Sequence, residues 1–285
     1  MLLDEKGNPV EEPAGVPALT ERQKQEAEDR TAVTAVIVHE AIRKDGDEEL
    51  QRPASALAWS GLAAGLSMGF SFFGQALLRG YLPDAPWRPL LTNLGYPLGF
   101  LIVIIGRQQL FTENTLTAII PLLARRNMVT LIAVLRLWTI VLIANLVGAH
   151  IFAWVIANTP VLKPEFQEAM RQLATNAVNV SFGVALLRGI FAGWLIAMVV
   201  WMLYAVHASR VAIIVILTYV VGLAGLTHIV AGSIEVLFLV MIGAKSWISY
   251  LGGYMVPSLI GNILGGVSMV SAVNHAQVIS GTRKA

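Results

Sequence analysis

The chain has 285 residues, of which 56% are hydrophobic and only 13% charged, with a mean hydropathy of +0.67. A soluble domain is usually about half apolar and about a quarter charged, so this composition excludes an ordinary soluble fold and predicts one membrane-embedded bundle. A net charge of +2 gives no reason for a nucleic-acid partner, and with no cysteine neither a disulfide framework nor a thiolate metal site or nucleophile is possible.

Residues 1–19 are polar, punctuated by Gly7, Pro9, Pro13 and Gly15, and read as a disordered tail. No apolar run stands ahead of a small-residue cleavage site, so the first span is expected to act as its own insertion signal. Residues 20–52 read as a cytoplasmic amphipathic helix and linker. Val33, Val36, Ile37, Ala41 and Ile42 recur at helical spacing, against Glu21, Glu26, Glu28, Asp29 and Arg30 elsewhere. Such a helix either packs on the cytoplasmic end of a bundle or gates it.

Six apolar spans are predicted, at 53–81, 88–124, 129–157, 181–206, 211–243 and 247–273, each reaching the ~20 residues needed to cross a bilayer. They make 53–273 a pore domain, with 158–180 the longest polar connection and 274–285 a C-terminal tail. An even number of spans puts both termini on one side. Arg43, Lys44, Arg52, Arg125, Arg126, Arg210, Arg283 and Lys284 lie on that side, against Arg79, Arg88, Lys163, Arg171 and Lys245 on the other. The bias predicts cytoplasmic termini.

The second and fifth spans are too long for one simple helix, and polar residues interrupt both. Gly106-Arg107-Gln108-Gln109-Leu110-Phe111-Thr112-Glu113-Asn114 breaks the second. Gly222, Gly225, Thr227, His228 and Gly232 break the fifth. Irregular backbone at membrane depth is tolerated only where it is buried in protein or lines a cavity. Paired breaks in corresponding places predict an inverted repeat with a pathway at the repeat interface. Gly61, Gly65 and Gly69 in the first span, and Gly261, Gly265 and Gly266 in the last, are small faces for close helix packing. His150 in the third span reads as a hydrogen-bonded packing residue or a relay, and His207 with Arg210 as interfacial.

Several strings resemble the formate/nitrite transporter family. Leu110-Phe111-Thr112 after Gly106 looks like its second-helix loop, and Asn145 with Gly148 like its third helix. Leu187-Arg188-Gly189-Ile190, Trp194-Leu195 and Val200-Trp201-Met202 resemble the fourth. Pro257, Gly261-Asn262 and Gly265-Gly266 resemble the sixth, and Gly225 with His228 fall where the family keeps its central histidine. The likeness covers roughly residues 55–275, and the segment Val38-His39-Glu40-Ala41-Ile42-Arg43 is closer to an atypical, YfdC-like branch.

The resemblance implies an all-α, aquaporin-like inverted repeat of six transmembrane helices, the second and fifth broken, assembled as a homopentamer in a bacterial inner membrane. It implies a per-protomer pore for a small monovalent anion or its conjugate acid, with no cofactor, no metal and no catalytic residue. By position, Leu110 and Tyr96 would form one constriction and Val221 the other, with Thr112 facing His228. His228 would either deliver a proton to the anion or satisfy backbone groups freed at the break. Arg107, Glu113, Arg188 and Glu235 are vestibule charges or structural pairs. The chain departs from the family at Gly232 and Gly193, where an Asn is usual. A vestibule lysine is missing near Ala177, flanked by Asn176 and Asn179. An aquaporin-like channel for a small neutral solute is the alternative, although Asn-Pro-Ala turns are absent. An intramembrane serine protease fails on motif, because Ile234 follows Ser233.

Overall fold

The computed structural model describes residues 20, 22, 33–178, 180–206 and 208–282. The expected tail at 1–19 lies outside them, as do Glu21, Glu26, Glu28, Asp29, Arg30, Asn179, His207, Arg283 and Lys284. Residues up to Val33 form a separate unit, and the helical bundle is the unit Thr34–Ala285. Among the described residues every regular element is helical and no strand occurs.

The bundle opens with α1, Ala35–Gln51, which stops where Pro53 disfavours helical backbone for the preceding residue. Its buried residues Val38, Ile42, Gly46 and Leu50 repeat every four positions, with His39 beside them. That differs from expectation. Ile42 is buried, but Val33, Val36 and Ile37 are exposed, so the packed face is turned toward the row that contains Gly46. Gly46 explains the choice, because any Cβ there would collide with the Thr117 carbonyl.

Helices α2 (Ala54–Tyr81), α3 (Arg88–Ile105), α4 (Asn114–Thr117), α5 (Ile119–Arg125) and α6 (Met128–Asn158) make the first half. Helix α7 (Pro164–Val178) comes next, then α8 (Phe182–Ala205), α9 (Arg210–Leu223), α10 (Ala231–Met241) and α11 (Ser249–Ser280). Five of them, α2, α3, α6, α8 and α11, are long and apolar enough to cross a membrane. Helix α7 occupies what reads in the sequence as a polar connection. Phe166, Ala169, Met170 and Ala174 are its buried residues, at helical spacing, and they dock it on α2 and α10.

The two halves use the same packing device. Helix α2 lies along α6 and α8 along α11. A Cβ on Gly65 would overlap the Asn145 backbone, and one on Gly193 would overlap the Asn262 backbone. Gly148 and Gly265 sit against the Leu62 and Ile190 carbonyls in the same way. Without a hydrophobic drive between helices in lipid, such close backbone approach supplies the packing energy.

Candidate functional site

The site is built from two helix ends. Helix α3 ends at Gly106, whose N–H donates to the Ile102 carbonyl at 2.9 Å; Arg107 then bonds to Ile104 at 3.2 Å and Gln108 to Val103 at 2.9 Å. Helix α9 ends the same way, with Ala224 to Val220 at 3.0 Å, Gly225 to Gly222 at 3.1 Å and Leu226 to Val221 at 3.0 Å. Both ends turn through a left-handed residue, Arg107 at φ +54° and Gly225 at φ +60°. This is the left-handed C-terminal cap that glycine normally supplies. In the first break an arginine carries it, at a conformational cost of roughly 1–2 kcal/mol.

Each extended stretch after the cap is bracketed by one buried asparagine. Asn145 Oδ1 accepts from the Phe111 N–H at 2.9 Å, while its Nδ2 donates to Gln109 (2.9 Å) and Gly61 (2.8 Å) carbonyls. Asn262 Oδ1 accepts from Ile229 N–H at 2.8 Å, while its Nδ2 donates to Thr227 (2.8 Å) and Gly189 (2.9 Å) carbonyls. Both asparagines are fully buried. Each satisfies the backbone that its break leaves without helical partners, as irregular chain in an apolar medium requires. By this match Leu110 corresponds to His228, and Thr117 to Glu235.

The breaks meet at His228. Its Nδ1 accepts from the Val230 and Ala231 N–H groups at 3.3 and 3.1 Å, so it caps the start of α10. That leaves the ring's proton on Nε2, which donates to Thr112 Oγ1 at 2.9 Å. Phe100 stands edge-on to the imidazole at 5.1 Å, and Tyr96 packs on Phe100 at 5.4 Å. Leu110, Phe100, Thr112, Val221 and His228 have no solvent exposure, and Tyr96 has 4%.

A cavity opens on either side of this closed middle. The first, of about 550 Å³, lies where α1, the end of α8 and the start of α9 meet. Four carboxyls (Asp45, Glu48, Glu49, Glu113) and three guanidiniums (Arg52, Arg107, Arg210) line it. Glu49 accepts from Gln109 Nε2 at 2.8 Å and from Thr117 Oγ1 at 3.0 Å, tying α1 directly to the first break. Burial holds its carboxyl above the usual carboxylate range, and those two hydrogen bonds oppose the shift. Arg107 and Glu113 face the same space without forming an ion pair, and Glu113 Oε1 has no hydrogen-bond partner. The second cavity, of about 260 Å³, lies at the opposite end of the bundle, where α2 finishes and α3 begins. Arg79, Arg188 and Glu235 are its charged residues, and Tyr96, Thr227, Gly232 and Tyr254 form its inner wall.

Among the residues singled out by sequence, Thr112 bonds to His228, Tyr96 reaches the imidazole through Phe100, Leu110 and Val221 are buried, and the four charges divide two to each cavity. Gly232 lines the second cavity, where a Cβ would overlap the hydroxyl of Tyr254. That hydroxyl donates to the His228 carbonyl at 3.3 Å. Gly193 faces the Asn262 backbone and lines neither cavity. Sequence reasoning missed Phe100, Tyr254, Glu49 and the bracketing role of the two asparagines. The asparagines had a signal, each following a small residue in an apolar span (Ala144-Asn145, Gly261-Asn262). His150, expected to pack, stacks on Trp247 at 5.7 Å.

Known proteins share both the sequence and the fold. Inner membrane protein YfdC of Escherichia coli (strain K12) is 40% identical over 261 residues, 90% of this chain and 84% of the relative. Formate channel BtFdhC of Bacillus thuringiensis is 25% identical over 239 residues, 82% of this chain and 91% of the relative. A solved structure, a pentameric formate channel with formate bound, shares the fold with a TM-score of 0.65 at 19% identity, over 83% of this chain and 99% of that one. The model of the formate/nitrite transporter family matches residues 36–276, and the chain belongs to that family.

Proposed function

We propose that this protein is a transmembrane channel or transporter for small monovalent weak-acid anions of the formate and nitrite kind. The observation that carries the reading is the pair of cavities at opposite ends of the bundle, separated by the buried contact between His228 and Thr112. In this reading α3 with α4 and α5, and α9 with α10, each make one interrupted crossing. Helices α9 and α10 have 14 and 11 residues, about 21 and 16 Å, so neither alone spans a ~30 Å core. Six crossings result, arranged as an inverted repeat, with 53–273 as the pore domain and 274–285 as a cytoplasmic tail.

The physics of passage follows from the closed middle. A bare anion pays a large desolvation cost among Leu110, Phe100, Tyr96 and Val221, while its neutral acid pays little. The guanidiniums of each cavity, with the positive end of the α10 dipole, draw the anion as far as the constriction. In our reading His228 holds the polar centre together and leaves proton delivery to another group, because both its nitrogens are engaged. The pentamer and the inner-membrane location are carried over from the solved formate channel and from YfdC. Family membership does not favour the neutral-solute alternative.

A panel of formate, nitrite, acetate, lactate and glycerol in proteoliposomes, clamped at two pH values, tests the reading. Weak-acid flux above that of protein-free vesicles, rising as pH falls, is the expected result. Glycerol flux with no response to any weak acid would overturn it.

A further inference from the structure

Both ring nitrogens of His228 are occupied, one by two backbone N–H groups and the other by Thr112. Protonating Nδ1 would break the cap and set a positive charge against the positive end of α10. Passage of a neutral acid therefore needs a proton from elsewhere. The groups that face the second cavity can be taken in turn. Arg79 of α2 and Arg188 of α8 do not release protons at any ordinary pH. Tyr96 of α3 and Tyr254 of α11 are phenols, ordinarily far weaker acids than a carboxyl. Helix α7 contributes Leu173 and Asn176, and neither titrates.

Glu235 of α10 remains. It lines the cavity one turn beyond Gly232, on the same face of the helix. It forms no hydrogen bond and no ion pair among the described residues, although two guanidiniums share its cavity. It is half-buried and faces the cavity, and an ionisable group without a protein partner at membrane depth is a functional candidate. Left ionised, it would repel the anions that Arg79 and Arg188 attract. Carrying a proton, it becomes a donor aimed into their path. The matching position in the first half is Thr117, which donates to the Glu49 carboxylate at 3.0 Å. A carboxyl thus stands at corresponding depth on both sides of the closed middle.

We propose that Glu235 is the proton-exchange group of the second cavity, giving its proton to a small carboxylate or similar weak-acid anion before the anion enters the constriction. The proposal rests on the weak-acid reading of the pathway. In the step, the Glu235 O–H bond breaks and an O–H bond forms on the anion, leaving Glu235 as carboxylate and the ligand as neutral acid. A hydronium ion from the solution at the open end of the cavity then reprotonates Glu235 and leaves as water, so one proton enters with each anion. Tyr254, held beside Gly232, lies next to this exchange. Absence of a side chain at Gly232 is what gives the phenol that place.

The test uses the full-length protein in proteoliposomes loaded with a pH dye, with formate and acetate as probes. Wild type is expected to acidify the lumen as each acid enters, faster as external pH falls from about 7.5 to about 5.5. Glu235→Gln keeps the shape and loses the exchangeable proton, and its acid-coupled entry should fall at least roughly ten-fold with a flat pH profile. Glu235→Asp should keep coupled entry with a displaced profile. Wild-type rate and profile in Glu235→Gln would overturn the proposal. Should Glu235→Gln be inert, an unmoved profile in Glu235→Asp would overturn it instead. Wild type no faster than protein-free vesicles would sink the weak-acid reading itself, and the proposal with it.

Discussion

The two breaks share a backbone and differ in nearly every side chain. Both end a helix with the same three hydrogen bonds, turn through one left-handed residue and are bracketed by one asparagine. Yet the first carries Arg107, Leu110 and Glu113 where the second carries Gly225, His228 and Ala231. Geometry at the membrane centre is thus set by groups that serve the backbone. The chemistry is set by residues that the backbone leaves free to vary.

The bracketing asparagines give the largest expected effect. Asn145→Leu and Asn262→Leu each strand an N–H and two carbonyls, at about 1–3 kcal/mol for a buried polar group left unmade. Hydrogen bonds between membrane helices average nearer ~0.6 kcal/mol, so a loss of about 2–4 kcal/mol is expected for either variant. Unfolding in detergent micelles measures it. Unequal losses would break the equivalence of the two brackets.

Next come the small residues of the helix contacts. Gly65→Ala and Gly193→Ala each push a methyl into the backbone of an asparagine-bearing helix, and about 1–3 kcal/mol is expected from overpacking. An Asn at 193 would be larger still. The left-handed caps are predicted to differ in sign. Gly225→Ala should destabilise by roughly 1–2 kcal/mol, whereas Arg107→Gly relieves the same strain and should stabilise the fold. Thermal shifts of opposite direction are the readout, and shifts of one sign would contradict the comparison.

The smallest effect concerns pH. The folded state holds the Glu49 carboxyl above its ordinary range, so the folded state binds the extra proton. Its stabilising contribution is complete below the unfolded value, near ~4.3, and is lost as pH rises through the folded one. Wild type should therefore lose stability relative to Glu49→Gln as pH rises from about 4 towards neutrality. A difference that stays constant with pH would show that Glu49 does not titrate in its pocket.

Much of the architecture was legible in the sequence because lipid imposes simple rules. The helices α2, α6 and α8 begin and end within two residues of the apolar runs, since backbone in hydrocarbon must bond to itself. Residues flanking His228 were legible for the same reason, polar groups at that depth being exceptional. Helix α7 was not, because its mixed face looks like a loop until Phe166 and Met170 find α2 and α10 to cover them. The packed face of α1 was misread because Gly46, a residue without a side chain, decides it. Tyr254 was hidden likewise, since only the void over Gly232 makes its place beside His228. Gly193 is instructive in the other direction. The resemblance leads one to expect a polar pore residue there, and its setting is a helix contact, not a cavity wall.

The central claim is that the pathway runs through the closed middle between the two breaks. Filling that middle tests it most directly. Formate flux should be measured in proteoliposomes for wild type and for Val221→Trp, both checked for an intact oligomer. Val221 is fully buried beside the second break, so the indole should bring flux down to the level of protein-free vesicles. Wild-type flux through an intact Val221→Trp protein would contradict the claim.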